Sequence, residues 1–201
     1  MIKVFHSPRS RSSRVIWMLE EMGLPYEVEP GSLMQPSEAF LKASPTRTLP
    51  AMVDGDTVIT ESIAILQYLG TKYGPTPLVP HPEDPGYADY LQFLVLGEAT
   101  LAAGLTPLVR ARFLAPDDQK DNWTLKNNAE SFIKQLQLVD AKLAKSPYLA
   151  GETFTAADIS VGYALAFGNF LGLDDGYPPA IRDYQQRITS REAFQRASAV
   201  Q

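Results

Sequence analysis

Six consecutive residues, Arg9-Ser10-Arg11-Ser12-Ser13-Arg14, set three hydroxyls and three guanidinium groups directly before an apolar run at helical spacing, Val15-Ile16-Trp17-Met18-Leu19. A serine at position 10 or 12 suits the cap of that helix, where its oxygen accepts an otherwise orphan backbone N–H. A second pair, Glu61-Ser62, opens another amphipathic run through Ile63, Ile65, Leu66 and Leu69. Unsatisfied N–H groups and the helix dipole favour a carboxylate there. Both residue types also suit plain capping. The third constellation, Thr155-Ala156-Ala157-Asp158, has capping-box spacing, with Phe154 and Ile159 at the positions of a hydrophobic staple. It reads as a device for folding and helix placement.

The remaining inventory excludes several chemistries. The chain of 201 residues has no Cys, which removes disulfides, thiolate metal ligands, iron–sulfur ligation and a protein thiol nucleophile. His6 and His81 are the only histidines, too few for an all-histidine metal cluster, and no metal site is expected. Lys plus Arg total 18 against 23 for Asp plus Glu, a net charge of -5 that gives no support for nucleic-acid binding. The N-terminus lacks the apolar stretch of a secretory signal. No segment approaches the ~20 apolar residues of a membrane span. No membrane partner and an intracellular setting are therefore the expectation.

Elements must hold these residues in place. Residues 2 to 5 read as a strand closed by Ser7-Pro8, and Gly23 stops the helix that follows. Tyr26 to Glu29 offers a second strand, and Pro36 to Lys42 a short helix ended by Ser44-Pro45. Pro50 to Val53 and Thr57 to Thr60 flank Asp54-Gly55-Asp56, the signal of an antiparallel hairpin. A helix from Glu61 to about Lys72 completes a mixed sheet with helices packed on it. Tyr73 to Gly86 holds five prolines and two glycines and reads as a linker. The rest is helical: Tyr87 to Ala115 as one long helix that bends or breaks, with Pro107 inside, then 122–144, 156–170, 179–188 and 192–197.

A small α/β unit, a Pro-rich linker and an all-helical second domain together resemble the soluble, cytosolic-type glutathione transferase family. Three segments carry the resemblance: HSPRSRSSRVIWMLEEMGLPYEVE (6–29), SPTRTLPAMVDGDTVITESIAILQYL (44–69) and YLAGETFTAADISVG (148–162). They look like the family's opening strand and first helix, its glutathione-site block, and the capping motif of its buried helix. The likeness spans essentially the whole chain and is bacterial-like, with a serine-type active site.

The resemblance implies an α/β thioredoxin-like N-terminal domain with a mixed four-stranded sheet at 1–76, a linker at 77–86 and an all-α domain at 87–201. The first domain would hold glutathione as co-substrate, with no permanently bound cofactor. The second would wall a pocket for a soft, largely apolar electrophile, with Leu105, Leu108, Arg110, Arg112, Phe113 and Trp123 as candidate wall residues that suit interhelical core equally well. A cytoplasmic homodimer is implied as well. Leu49-Pro50, if cis, would leave the Leu49 backbone open to a peptide ligand. Ser62 would bond the γ-glutamyl carboxylate and Glu61 would help hold its ammonium.

In this scheme glutathione's sulfur is the nucleophile. Lowering a thiol pKa from about 8.5 by two units takes roughly 2.7 kcal/mol of preferential thiolate stabilisation. A hydroxyl, a helix N-terminus and nearby positive charge can supply it. Taking Arg14 as the register mark puts Ser10 at the family's thiolate-stabilising hydroxyl. Aligning from the opening strand instead puts Arg11 at the cysteine of cysteine-type members, with Ser10 and Ser12 on either side. Ser10, Ser12 and Arg11 are therefore the candidates, while Arg14 reads as a brace. Two departures stand out. Phe5 and His6 replace any early tyrosine, and the family's Asn-Pro-x-Gly-Lys-Val-Pro is here Ser44-Pro45-Thr46-Arg47-Thr48-Leu49-Pro50. Arg47 then becomes the candidate for the glycyl carboxylate, on a different backbone path. Two further readings are a glutathione-dependent isomerase or reductive dehalogenase, and a non-catalytic binding or scaffold protein.

Overall fold

Ile2, Val4 and Phe5 are the apolar residues of the first strand, and all three are buried, so β1 (Ile2–His6) is a central strand covered on both faces. The computed structural model describes residues 1–201. β1 pairs in parallel with β2 (Tyr26–Pro30), in the register Ile2↔Tyr26, and antiparallel with β3 (Ala51–Asp54). A two-residue Gly55-Asp56 turn, with Gly55 at φ 61°, joins β3 to β4 (Thr57–Thr60). The sheet order β2-β1-β3-β4 is the mixed four-stranded, thioredoxin-like arrangement expected.

The helices of this part follow their sequence signals. α1 (Ser12–Met22) ends at Gly23, whose φ of 63° lets the Gly23 and Leu24 N–H groups turn back onto Glu20 and Leu19. α1 begins three residues earlier than the apolar run suggests. α2 (Glu38–Ala43) is capped by Ser37 and lays Phe40 against Phe5, ring centroids 5.4 Å apart. α3 (Ser62–Lys72) buries Ile65, Leu66 and Leu69. Its C-terminal end is tied to the hairpin by Asp54, which accepts from Tyr68, Lys72 and Tyr73 at 2.7 to 2.9 Å.

The remaining chain is helical: α4 (Tyr87–Val95), a π-helical segment Leu96–Ala102, α5 (Ala103–Leu114), α6 (Trp123–Leu143), α7 (Ala156–Phe170), α8 (Pro179–Thr189) and α9 (Glu192–Ala199). The anticipated long helix from Tyr87 is continuous, and its irregularity lies in the π segment upstream of Pro107. Gly97 in that segment lies so close to α7 that a Cβ there would meet Ser160 Oγ at 2.4 Å and its backbone carbon at 2.6 Å. Ser160 in turn donates to Leu94 C=O at 2.8 Å. Contrary to the expectation of no spanning segment, the 28-residue run Tyr87–Leu114 is long and apolar enough to cross a membrane by length and composition. It buries Tyr90, Phe93, Leu94 and Leu101, and both α4 and the π segment pack on α7.

Two compact units result: Met1–Val79 with Thr189–Gln201, and Pro80–Ile188. The last helix, read from sequence as part of the helical domain, packs in the first unit against α1. Arg191 bridges Glu21 with both carboxylate oxygens (2.6 and 2.7 Å), Arg196 meets Glu20 at 2.6 Å, and Phe194 stands edge-on to Trp17.

The capping box forms as its spacing predicts. Asp158 accepts the Thr155 N–H at 2.8 Å, and the Thr155 hydroxyl accepts from Ala157 N–H. The same buried carboxylate also accepts from Leu149 N–H and the Tyr184 hydroxyl.

Candidate functional site

The candidate residues of the first unit lie on three segments: the turn from β1 into α1, the loop before β3, and the start of α3. Each segment contains a non-glycine residue with left-handed backbone, Arg9 (φ 64°), Arg47 (φ 54°) and Glu61 (φ 66°), and the chain has no others. Such backbone costs on the order of 1–3 kcal/mol per residue and clusters at functional sites. Its coincidence with the three predicted segments was not legible in residue types.

At the first segment, Ser10 and Ser12 are joined Oγ to Oγ at 2.6 Å. Ser12 is buried and its hydroxyl also contacts His6 Nδ1 at 2.8 Å and accepts the Ser7 N–H at 3.3 Å. Ser10 is half-buried, and its hydroxyl accepts the Ser12 N–H at 3.3 Å. Neither serine is the helix cap: that position is Arg11, which makes no side-chain capping bond. Arg11 itself is half-buried. The sequence assigns His6 no part in the site, only a place in the metal-ligand count and a departure from an early tyrosine. Its signal was position, at the end of a central strand six residues before Ser12. Burial holds its imidazole below the ordinary pKa, only partly offset by the Val200 backbone.

The second segment is a loop pinned by one buried serine. Ser44 donates its hydroxyl hydrogen to Thr48 C=O at 2.9 Å and accepts the Thr48 N–H at 3.0 Å, while the Arg47 N–H turns back to Ser44 C=O. Arg47 is exposed and takes the left-handed conformation natural to glycine. Leu49-Pro50 is cis and precedes the β3 ladder. The Leu49 side chain packs on Gly31, where a Cβ would meet it at 2.4 Å.

At the third segment Glu61 is exposed and makes no side-chain cap. Ser62 is buried and its hydroxyl accepts from Arg14 Nη1 at 3.1 Å. Arg14 is itself fully buried, the brace its sequence position suggested.

The candidate wall residues belong to the second unit and divide. Leu105 is fully buried core, whereas Arg110, Phe113 and Trp123 are exposed and Leu108 is half-buried. Arg112 donates to Phe170 C=O at 3.0 Å and lies over the Phe113 and Phe170 rings, so its cation is already engaged.

Comparisons with known proteins bear on the family and the fold. Residues 4–77 match the glutathione S-transferase N-terminal domain and residues 99–192 the C-terminal domain. Glutathione S-transferase 3 of Schizosaccharomyces pombe is 33% identical over 79% of this chain and 70% of its own length. Glutathione S-transferase 3 of Zea mays is 30% identical over 98% of this chain and 93% of its own. The crystal structure of glutathione transferase F7 from Populus trichocarpa superposes with a TM-score of 0.84 at 26% identity, covering 98% of each chain. On the family models, the curated relatives and the shared fold together, this chain belongs to the glutathione S-transferase family.

Proposed function

We propose that the protein is a transferase that holds glutathione along the three segments of its first unit and ionises the thiol for attack on a soft, largely apolar electrophile. The observation that carries this reading is the half-buried Ser10 hydroxyl at the start of α1, linked to buried Ser12. A hydroxyl hydrogen and the helix N-terminus there act on sulfur in the same direction. Arg11 adds positive charge beside them. Ser62 bonds the γ-glutamyl carboxylate, Glu61 draws its ammonium, the Leu49-Pro50 backbone pairs with the cysteinyl unit, and Arg47 meets the glycyl carboxylate. Catalysis then comes from thiolate stabilisation and juxtaposition, with no covalent intermediate on the protein. No permanently bound cofactor is needed. A homodimer and a cytoplasmic setting accompany the reading on family resemblance alone.

The test is a calorimetric titration with glutathione, followed by turnover of an apolar electrophile by the unaltered chain and by Ser10→Ala. Ser10→Ala is expected to bind glutathione and to lose about 10²–10³-fold in rate, the usual effect of removing one preorganised donor. Absence of binding at millimolar glutathione overturns the reading. The products from a panel of electrophiles separate conjugation from isomerisation or reductive dehalogenation, and binding without turnover would mark a binding protein.

A further inference from the structure

His6, Ser12 and Ser10 form a continuous chain of hydrogen bonds running from the buried end of β1 to the half-buried start of α1, with spacings of 2.8 and 2.6 Å. Each neutral member carries one mobile hydrogen; the Ser12 hydroxyl also lies 3.5 Å from Ser7 C=O, a longer contact than either link, and along the chain itself the hydrogens have two self-consistent senses. In the inward sense Ser10 donates to Ser12, Ser12 donates to His6 Nδ1, and Ser10 presents a lone pair outward. In the outward sense His6 Nδ1–H donates to Ser12, Ser12 donates to Ser10, and Ser10 presents its hydrogen outward. The backbone N–H groups of Ser7 and Ser12 fill a further lone pair on Ser12 and Ser10 and are satisfied in both senses.

We propose that His6 acts through Ser12 and Ser10 as the acceptor of the glutathione thiol's proton, making it a positioning residue for the donor hydroxyl. This rests on the reading of Ser10 as the residue facing sulfur. The arriving thiol donates S–H to the Ser10 lone pair of the inward chain. The S–H bond breaks, Ser10 and Ser12 each gain one hydrogen and pass on another, and a new N–H bond forms at His6 Nδ1. The electron pair stays on sulfur and the positive charge goes to the imidazole. One concerted shift thereby reverses the chain and turns the Ser10 hydrogen toward the thiolate just formed. After attack, the proton returns along the same path to the basic atom that the reaction creates. Burial keeps the resting imidazole of His6 neutral and so able to accept, and it also opposes the charged form, which the negative charge left on sulfur must offset.

The unaltered chain provides the first test, because its imidazole ¹⁵N spectrum contains only His6 and the exposed His81. On adding glutathione, the His6 Nδ1 resonance is expected to move from the lone-pair to the N–H type as thiolate absorbance grows, with His81 unmoved. Two variants give the second test: Ser12→Ala cuts the chain, and His6→Asn keeps a hydrogen-bonding group that does not take a proton. Both are expected to bind glutathione while the bound thiol's apparent pKa rises by about one unit or more, which from a value of about 6.5 leaves about threefold less thiolate at pH 7. Thiolate formation with His6 Nδ1 unmoved, or ionisation in both variants as in the unaltered chain, overturns the relay and leaves the transferase reading standing. Failure of the unaltered chain to bind glutathione overturns both.

Discussion

Arg14 donates its Nη1–H to the Ser62 hydroxyl at 3.1 Å, joining α1 to α3 across 48 positions of the chain. A guanidinium has donors only, so Ser62 is the acceptor and keeps its own hydrogen for another oxygen. Both side chains are buried, so this bond is shielded from solvent. The geometry suits recognition of a carboxylate at the start of α3, where the backbone already favours negative charge. Ser62→Ala is therefore expected to weaken glutathione binding ten- to hundredfold, the equivalent of about 1.5–3 kcal/mol for a hydrogen bond to a charged group. Unchanged calorimetric affinity would remove Ser62 from the site.

Arg47 separates fold from binding. Its left-handed φ of 54° is a conformation glycine adopts without penalty, so Arg47→Gly is expected to raise stability by up to about 1 kcal/mol in urea unfolding. If the guanidinium meets the glycyl carboxylate, the same variant loses glutathione affinity. The two measurements then move in opposite directions. An affinity that stays constant while stability rises would show that the arginine only occupies a turn.

Much of this architecture was legible because local signals agreed with tertiary need. Asp54-Gly55-Asp56 produced its hairpin, Gly23 its helix stop, and Thr155 with Asp158 the complete capping box. What escaped were features set by distant partners. The bond between His6 and Ser12 needs a strand end and a helix start brought together, and no local periodicity encodes it. The left-handed Arg47 looked like a change of backbone path, whereas the loop keeps a glycine-like conformation because Ser44 pins it from both sides. The placement of α9 depends on charge pairs 170 and 176 positions apart, so residues 192–197 read only as another helix of the second domain.

Those distant pairs make their own prediction. The Glu21 side chain is only 7% exposed, and it accepts two bonds from Arg191 and one from the Trp17 indole N–H. Removing Arg191 leaves a nearly buried carboxylate that still accepts from the Trp17 indole N–H on α1. Arg191→Ala is expected to cost about 2 kcal/mol, less than a fully buried pair because Arg191 itself is partly exposed. The double variant Glu21→Gln with Arg191→Ala should recover part of that loss, and a double-mutant cycle in urea measures the coupling. A coupling near zero would mean that the Arg196–Glu20 pair and the Trp17–Phe194 contact hold α9 without help from Arg191.

Asp158 carries the clearest pH signature. Its carboxyl is fully buried, and burial pushes its pKa up to about 6 despite bonds from the Leu149 and Thr155 N–H groups and the Tyr184 and Thr155 hydroxyls. The unfolded chain releases this proton near pH 4, so between about pH 4 and 6 the folded state holds a proton that the unfolded state has given up. Linkage then makes the contribution of Asp158 to stability fall as pH rises through that window, by at most about 3 kcal/mol, and level off above it. Asp158→Asn has no such proton to bind, but its amide nitrogen faces a donor where a carboxylate oxygen accepted. The variant is therefore expected to be less stable than the unaltered chain at every pH, with the gap widest near pH 4 and narrowing toward pH 6. Urea unfolding of both proteins across that range measures the gap. A gap that widens with rising pH would mean that the four hydrogen bonds outweigh burial and that the carboxyl is ionised throughout.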